Sequence, residues 1–135
     1  RAEAAARAWT TEDASSLYEQ AITASMEQWG VASADIAVYI AANPYANMED
    51  IAYEKWVSLY MQGYNSWSEW RRFKAEGNDG RINLVAPADL LSNATDIPQR
   101  HGYSATASAL NEASYNAAIG AQGADNLDTK IWLFK

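Results

Sequence analysis

The sequence predicts an all-α fold of the α-α solenoid type, in which helix follows helix through short turns around one long irregular excursion. Three observations predict it. Apolar residues recur at helical spacing over 12–29, 33–42, 47–75 and 105–121. Capping residues or helix breakers bound each of these stretches. In the third, acids gather at the start and bases at the end, the order that the helix dipole favours. No clean repeat of about 34 residues recurs, so the architecture rests on the individual elements.

The first helix is expected from about Glu12 to Trp29. Thr10 and Asp13 have capping-box spacing, and Gly30 stands where a left-handed residue would close the helix. Ala14, Leu17, Tyr18, Ala21, Ile22, Ser25 and Trp29 form its inward stripe. The second helix, over 33–42, turns Ile36, Tyr39 and Ile40 inward. It ends at Asn43-Pro44, because a residue before proline avoids the α region. The third begins at Asn47, with Asp50 at the position that completes a cap and Glu49 and Glu54 beside it. Ala52, Trp56, Leu59, Tyr60 and Gly63 are its expected seam. Gly63 predicts a bend or break, and Ser66 with Glu69 a second cap. Arg71, Arg72 and Lys74 then gather at the negative end before Gly77.

Residues 77–103 read as irregular, with a turn at Asn78-Asp79-Gly80, prolines at Pro87 and Pro98, and extended character only over 82–85. The last helix, over 105–121, has Ser104 as its cap. Gly120, Gly123 and Asn126 release the chain into Lys130-Ile131-Trp132-Leu133-Phe134, an apolar tail expected to pack back on the helices.

Composition removes several function classes. With 10 basic and 17 acidic residues the net charge is −7, opposite to the basic stripe a nucleic-acid binder needs. The absence of cysteine excludes disulfides, thiolate metal sites and a cysteine nucleophile. No apolar run approaches the roughly 20 residues of a membrane-spanning helix. The opening Arg1-Ala2-Glu3-Ala4-Ala5-Ala6 reads as a cut within a helix, with targeting information lying elsewhere.

No catalytic residue, metal site or cofactor is assigned. His101 has no convergent carboxylates, no serine stands in a nucleophile elbow, and capping accounts for Glu49, Asp50 and Glu54. Six Trp and eight Tyr against two Phe favour rings with one apolar and one wet edge. Such rings can build a core, stack on a sugar, or hold an arginine plane. Trp56, Tyr60, Trp67 and Trp70 have core spacing, whereas Trp9 and Tyr45 lie off the helical seams and are the candidates for glycan stacking. Arg71 and Arg72 read as helix-end cations lying across Trp67 or Trp70, with an acidic-ligand clamp as the alternative. Asn93-Ala94-Thr95 has the form of a glycosylation sequon.

Four segments then occur in a telling order: Trp67-Ser68-Glu69-Trp70-Arg71-Arg72 after Gly63, Ile97-Pro98-Gln99-Arg100-His101-Gly102-Tyr103, Asn111, and Thr129-Lys130-Ile131-Trp132. Upstream, Tyr18, the run Ala24-Ser25-Met26-Glu27-Gln28-Trp29-Gly30-Val31, Tyr39-Ile40 and Glu54-Lys55-Trp56 agree with them. The chain, over 1–135, resembles the C-terminal part of the SusD/RagB family of surface glycan-binding lipoproteins of Bacteroidetes. The resemblance implies a TPR-like α-α superhelix and a lipid anchor to the outer membrane outside this segment. It further implies a non-catalytic role, capturing an oligosaccharide or peptide for a SusC-like TonB-dependent transporter. It gives structural roles to Trp67, Arg71, Arg72, Arg100, Tyr103 and Trp132, and no ligand role. Ser104 and Ala107 stand where the family often has proline and glutamate, which marks a divergent subfamily. A TPR-like protein-interaction scaffold and a helical glycoside hydrolase are the alternatives.

Overall fold

A computed structural model describes residues 1–89 and 94–134, and every described regular element is helical. The chain divides into two compact units, Arg1–Ile82 and Asn83–Lys135, and the division falls inside the irregular stretch 77–103. Asn93 of the sequon lies outside the described residues.

The first unit holds α1 (Ala2–Ala6), α2 (Ala14–Gln28), α3 (Ser33–Ala42), α4 (Met48–Ser58) and α5 (Gly63–Ala75). The five residues of α1 are mostly alanine, the best helix former, but so short a helix does not persist alone in water. It is held by packing on α2 and α4. Helix α2 is capped by Asp13, not Thr10: the Asp13 carboxylate accepts from Ser16 N at 2.7 Å. At its other end Gly30 takes φ 74°, with Gly30 N bonded to Glu27 O at 2.9 Å and Val31 N to Met26 O at 3.1 Å. These are the paired bonds of a Schellman motif. Helix α3 stops at Asn43, before Pro44.

Helix α4 starts with the expected capping box. Asn47 Oδ1 accepts from Glu49 N at 2.8 Å, and Asp50 Oδ2 accepts from Asn47 N at 2.9 Å and Ala46 N at 2.8 Å. The break before α5 comes earlier than the sequence suggests. Leu59 ends α4, Met61 takes φ 68°, and Gly63 already lies in the first turn of α5. Ser66 makes no cap; its hydroxyl donates back to Gly63 O at 3.0 Å.

Ala2, Leu17, Tyr18, Ile22 and Ile51 form one buried cluster, on which Met26, Tyr39, Ile40, Tyr45 and Met48 pack. On α5, Trp70 and Phe73 are fully buried. The helical stripe therefore locates most of the core. It fails at its ends: Trp29 and Tyr60, both at core spacing, face solvent.

An ion lattice joins α1, α4 and α5. Arg72 places Nη1 2.6 Å and Nη2 2.9 Å from the two oxygens of Glu3. Arg7 Nε lies 3.1 Å and Lys55 Nζ 3.3 Å from the same carboxylate. Glu69 accepts from Arg72 at 2.6 Å and from Lys55 at 2.8 Å, while Arg7 also pairs with Glu76. Burial pushes the pKa of Glu3 up, but Arg72, Lys55 and Arg7 outweigh it and hold the carboxyl below its ordinary value. Glu69 behaves likewise, its burial outweighed by Arg72 and Lys55.

The second unit holds α6 (Ala107–Leu110), α7 (Glu112–Gln122) and a 3-10 turn, Trp132–Phe134. The single helix expected over 105–121 is divided at Asn111, whose φ of −146° and ψ of 54° are not helical. Its expected cap, Ser104, accepts from Ala107 N through its backbone O, while its hydroxyl pairs with the Thr106 hydroxyl at 3.0 Å and lies a long 3.4 Å from Thr106 N. The segment 95–103 is tied to 125–128. Leu127 O accepts from Gln99 N at 2.7 Å and from Arg100 N at 3.1 Å, and Asp128 accepts from Thr95 N at 2.9 Å. In the terminal tail Phe134 is buried, whereas Trp132 is 76% exposed.

Two outcomes follow from these buried carboxylates. Glu3→Ala should lower the stability of residues 1–82 by more than the about 0–1 kcal/mol of an exposed pair, approaching the about 3–5 kcal/mol of a buried one. Denaturant midpoints compared with Glu12→Ala, an exposed ion-pair control with Arg1, measure this. The lowered carboxyls of Glu3, Glu69 and Asp50 give stability that is complete above their unfolded pKa values. That stability is lost as pH falls through their folded ones, so thermal midpoints should decline progressively below about pH 4.5, the ordinary Glu value.

Candidate functional site: a cavity among the first four helices

A cavity of about 390 Å³ opens among α1, α2, α3 and α4. Ala2, Ala21, Ile22, Met26, Ile51 and Val57 make its apolar wall, and Glu3, Tyr18, Ser25, Tyr39, Glu54, Lys55 and Ser58 bring polar groups into it. This composition, apolar lining with a few convergent polar groups, is that of a small-ligand site.

The polar groups are fixed by partners within the cavity and beside it. Tyr18 OH donates to Asn43 O at 3.1 Å, and the Tyr18 ring rests against Tyr45 at 5.6 Å between centroids. Tyr39 OH donates to Glu54, 3.0 and 3.2 Å from its two oxygens. Burial raises the pKa of Glu54, and Asp50 adds to the rise, against the Tyr39 hydrogen bond and the more distant Arg81. Tyr39 is raised as well, first by burial and then by Glu54, so it stays a phenol and a donor. Arg81 cannot neutralise Glu54 directly, because it is spent on Asp50 at 2.6 Å and lies over the Tyr53 ring at 4.5 Å. The cavity thus offers hydroxyl, carboxylate and ammonium groups beside an aliphatic wall.

The residues singled out in the sequence sit elsewhere. Trp9 is 73% exposed in the turn after α1, with Arg7 5.4 Å from its ring, and does not line the cavity. Tyr45 is half-buried behind Tyr18 and reaches the cavity only through it. Arg71 lies over Trp67 at 3.7 Å, and Arg72 over Phe73 at 4.1 Å. In the second unit, Arg100 pairs with Asp125 at 3.1 Å and lies 4.7 Å from the Tyr103 ring. Asp125 also accepts from Tyr103 N at 3.1 Å, and Tyr115 packs edge-on against Tyr103 at 5.8 Å. Sequence reasoning missed Asp125, Glu3 and the Tyr39–Glu54 pair. Tyr39 is on the expected inward face of its helix, whereas Glu54, off the expected seam of the next, reads as a capping acid. Among the described residues no group of three or more His, Cys, Asp or Glu could hold a metal ion, and no helix is long and apolar enough to cross a membrane.

Residues 1–104 match the SusD-like_2 family, described as starch-binding and associating with the outer membrane. The chain belongs to this SusD-like family. No curated protein matches the sequence. Among solved structures, a Bacteroidetes AC2a SusD-like protein is 26% identical and superposes with a TM-score of 0.81, over 100% of this chain and 28% of its own. A chitin-binding protein, 24% identical with a TM-score of 0.79 over 99% of this chain and 31% of its own, shares the fold. The SusD-like chain described here therefore spans under a third of the length of these solved relatives.

Within this SusD-like cavity, Glu54 sets a measurable pH dependence. Its raised pKa means the folded state holds the proton more tightly than the unfolded state. Stability is therefore lost as pH rises through the folded pKa, when the buried carboxyl ionises. Glu54→Gln removes that charge, so its thermal midpoint relative to the parent protein should be higher at pH 7.5 than at pH 4.

Proposed function

We propose that this chain is part of a non-catalytic, surface-exposed outer-membrane lipoprotein. In this reading it captures an oligosaccharide and delivers it to a SusC-like TonB-dependent transporter. The starch-binding, membrane-associated description of the family supports it. The observation that carries the ligand assignment is the Tyr39–Glu54 pair set in an apolar wall. Sugar hydroxyls need acceptors and donors of this kind, while their C–H faces suit Ile22, Met26 and Val57.

The same geometry favours binding over hydrolysis. The pKa of Glu54 is raised by burial, the direction a general acid requires. A glycosidase needs a second carboxylate as nucleophile or base. The other glutamate of the cavity, Glu3, is held by Arg72, Arg7 and Lys55 and is not free to attack or to activate water. We assign Trp67, Arg71, Arg72, Arg100 and Tyr103 to holding the fold. Tyr45 acts as the support of Tyr18, and Trp9 and Trp132 remain solvent-facing rings with no part in the cavity.

Calorimetric titration with maltooligosaccharides and with N-acetylglucosamine oligomers tests this. Tyr39→Phe or Glu54→Gln should each weaken binding about two- to tenfold, the worth of one hydrogen bond at about 0.5–1.5 kcal/mol. Absence of binding by the parent protein to every glycan, or release of reducing ends, overturns the reading.

A further inference from the structure

Trp29 and Tyr60 lie on the inward stripes of their helices by spacing, yet the structure leaves them 59% and 67% exposed. They meet each other, with ring centroids 6.0 Å apart and planes inclined at 67°. Neither ring rides on a loose segment. Trp29 is the C-cap of α2, locked by the Gly30 turn, and its N bonds to Met26 O at 3.1 Å. Tyr60 N bonds to Val57 O at 3.0 Å, immediately before the left-handed Met61. Two amphipathic rings, each bracing the other edge to face, thus stand open to solvent.

Their position relates them to the cavity. Ser25 and Met26 precede Trp29 by one helical turn, share its face of α2, and line the cavity. Val57 and Ser58 line it from the other side, and Tyr60 follows them in the turn after α4. The ring pair therefore continues the α2–α4 wall of the cavity outward by about 5 Å, the pitch of one turn. Ser25 and Ser58, which line the cavity one turn before Trp29 and two residues before Tyr60, are uncharged hydrogen-bonding groups.

We propose that Trp29 and Tyr60 form an outer subsite of the cavity, stacking the next pyranose ring of an oligosaccharide whose first ring enters among Tyr39, Glu54 and Lys55. This rests on the oligosaccharide reading of the cavity. A pyranose presents a C–H face to an aromatic plane and a rim of hydroxyls to neutral amides and hydroxyls. The subsite supplies both, an open ring face and the hydroxyls of Ser25 and Ser58. Ligands longer than one unit should accordingly bind more tightly than monosaccharides.

The test is titration of the full chain with glucose oligomers of one to five units, and with N-acetylglucosamine oligomers of the same lengths. Affinity for one of the two series should rise from one unit to three. In Trp29→Ala/Tyr60→Ala that gain should fall about three- to tenfold, while monosaccharide binding is retained. Both rings are exposed, so the double variant should keep its circular dichroism spectrum and thermal midpoint. The proposal is overturned if the folded variant keeps the length dependence, or if it loses monosaccharide and trisaccharide binding equally. Parent protein that binds neither series at any length overturns the cavity reading as well, which separates that failure from failure of the outer subsite alone.

Discussion

Glu3 is the point on which the first unit turns. It stands on a helix of five residues, too short to hold its own shape, and gathers Arg7, Lys55 and Arg72 around one carboxylate. A half-buried acid without partners would be driven toward its neutral form. Here the three cations overcome the desolvation and leave the carboxyl more acidic than normal. The bond to Arg72 uses both guanidinium nitrogens, which fixes direction as well as distance. Because Arg1, Ala2 and Glu3 form one side of the cavity, the ion lattice that seats α1 also shapes the candidate binding site.

A second regularity recurs in both units. Arg72 has a carboxylate at its edge, Glu3, and a ring at its face, Phe73. Arg81 repeats this with Asp50 and Tyr53, and Arg100 with Asp125 and Tyr103. A guanidinium suits this use because its five donors lie in the plane while its faces are weakly hydrated. An ammonium has no such faces, so lysine could keep the charge but not the arrangement. Three arginines and two of the eight tyrosines serve this one device.

The sequence is most informative where the determining interaction is local, although the caps expected at Ser66 and Ser104 do not form. The Asn47–Asp50 box, the Gly30 turn and the stop before Pro44 each depend on residues within five positions, and each is found where spacing puts it. Local competition explains the near misses. Asp13 sits next to the helix it caps and accepts from Ser16 three residues on, so Thr10 is left outside. The left-handed residue between α4 and α5 is Met61, although Gly63 would adopt that conformation at lower cost. What stayed illegible is long-range. Glu3 and Arg72 are 69 positions apart, and Asp125 meets Tyr103 across 22. Periodicity gives the side of a helix but not where its packing partner ends, so Trp29 and Tyr60 have core spacing and yet face solvent.

The contrast among the acids of the first unit separates scaffold from site. Against burial, Glu3 and Glu69 are lowered by cations within hydrogen-bonding reach, and Asp50 by the Asn47 and Ala46 amides and then Arg81. Glu54 is also withdrawn from water, yet its bonded partner is a neutral phenol, and its pKa is raised. For stability alone this is a poor choice, since an apolar side chain or an added arginine would remove the penalty. The arrangement makes sense where lone pairs must be kept for another molecule. Tyr39 orients the carboxylate without neutralising it, and Arg81, bound to Asp50, is kept from doing so. An acceptor held in place and left unneutralised beside an aliphatic wall is what a neutral, hydroxyl-rich ligand requires.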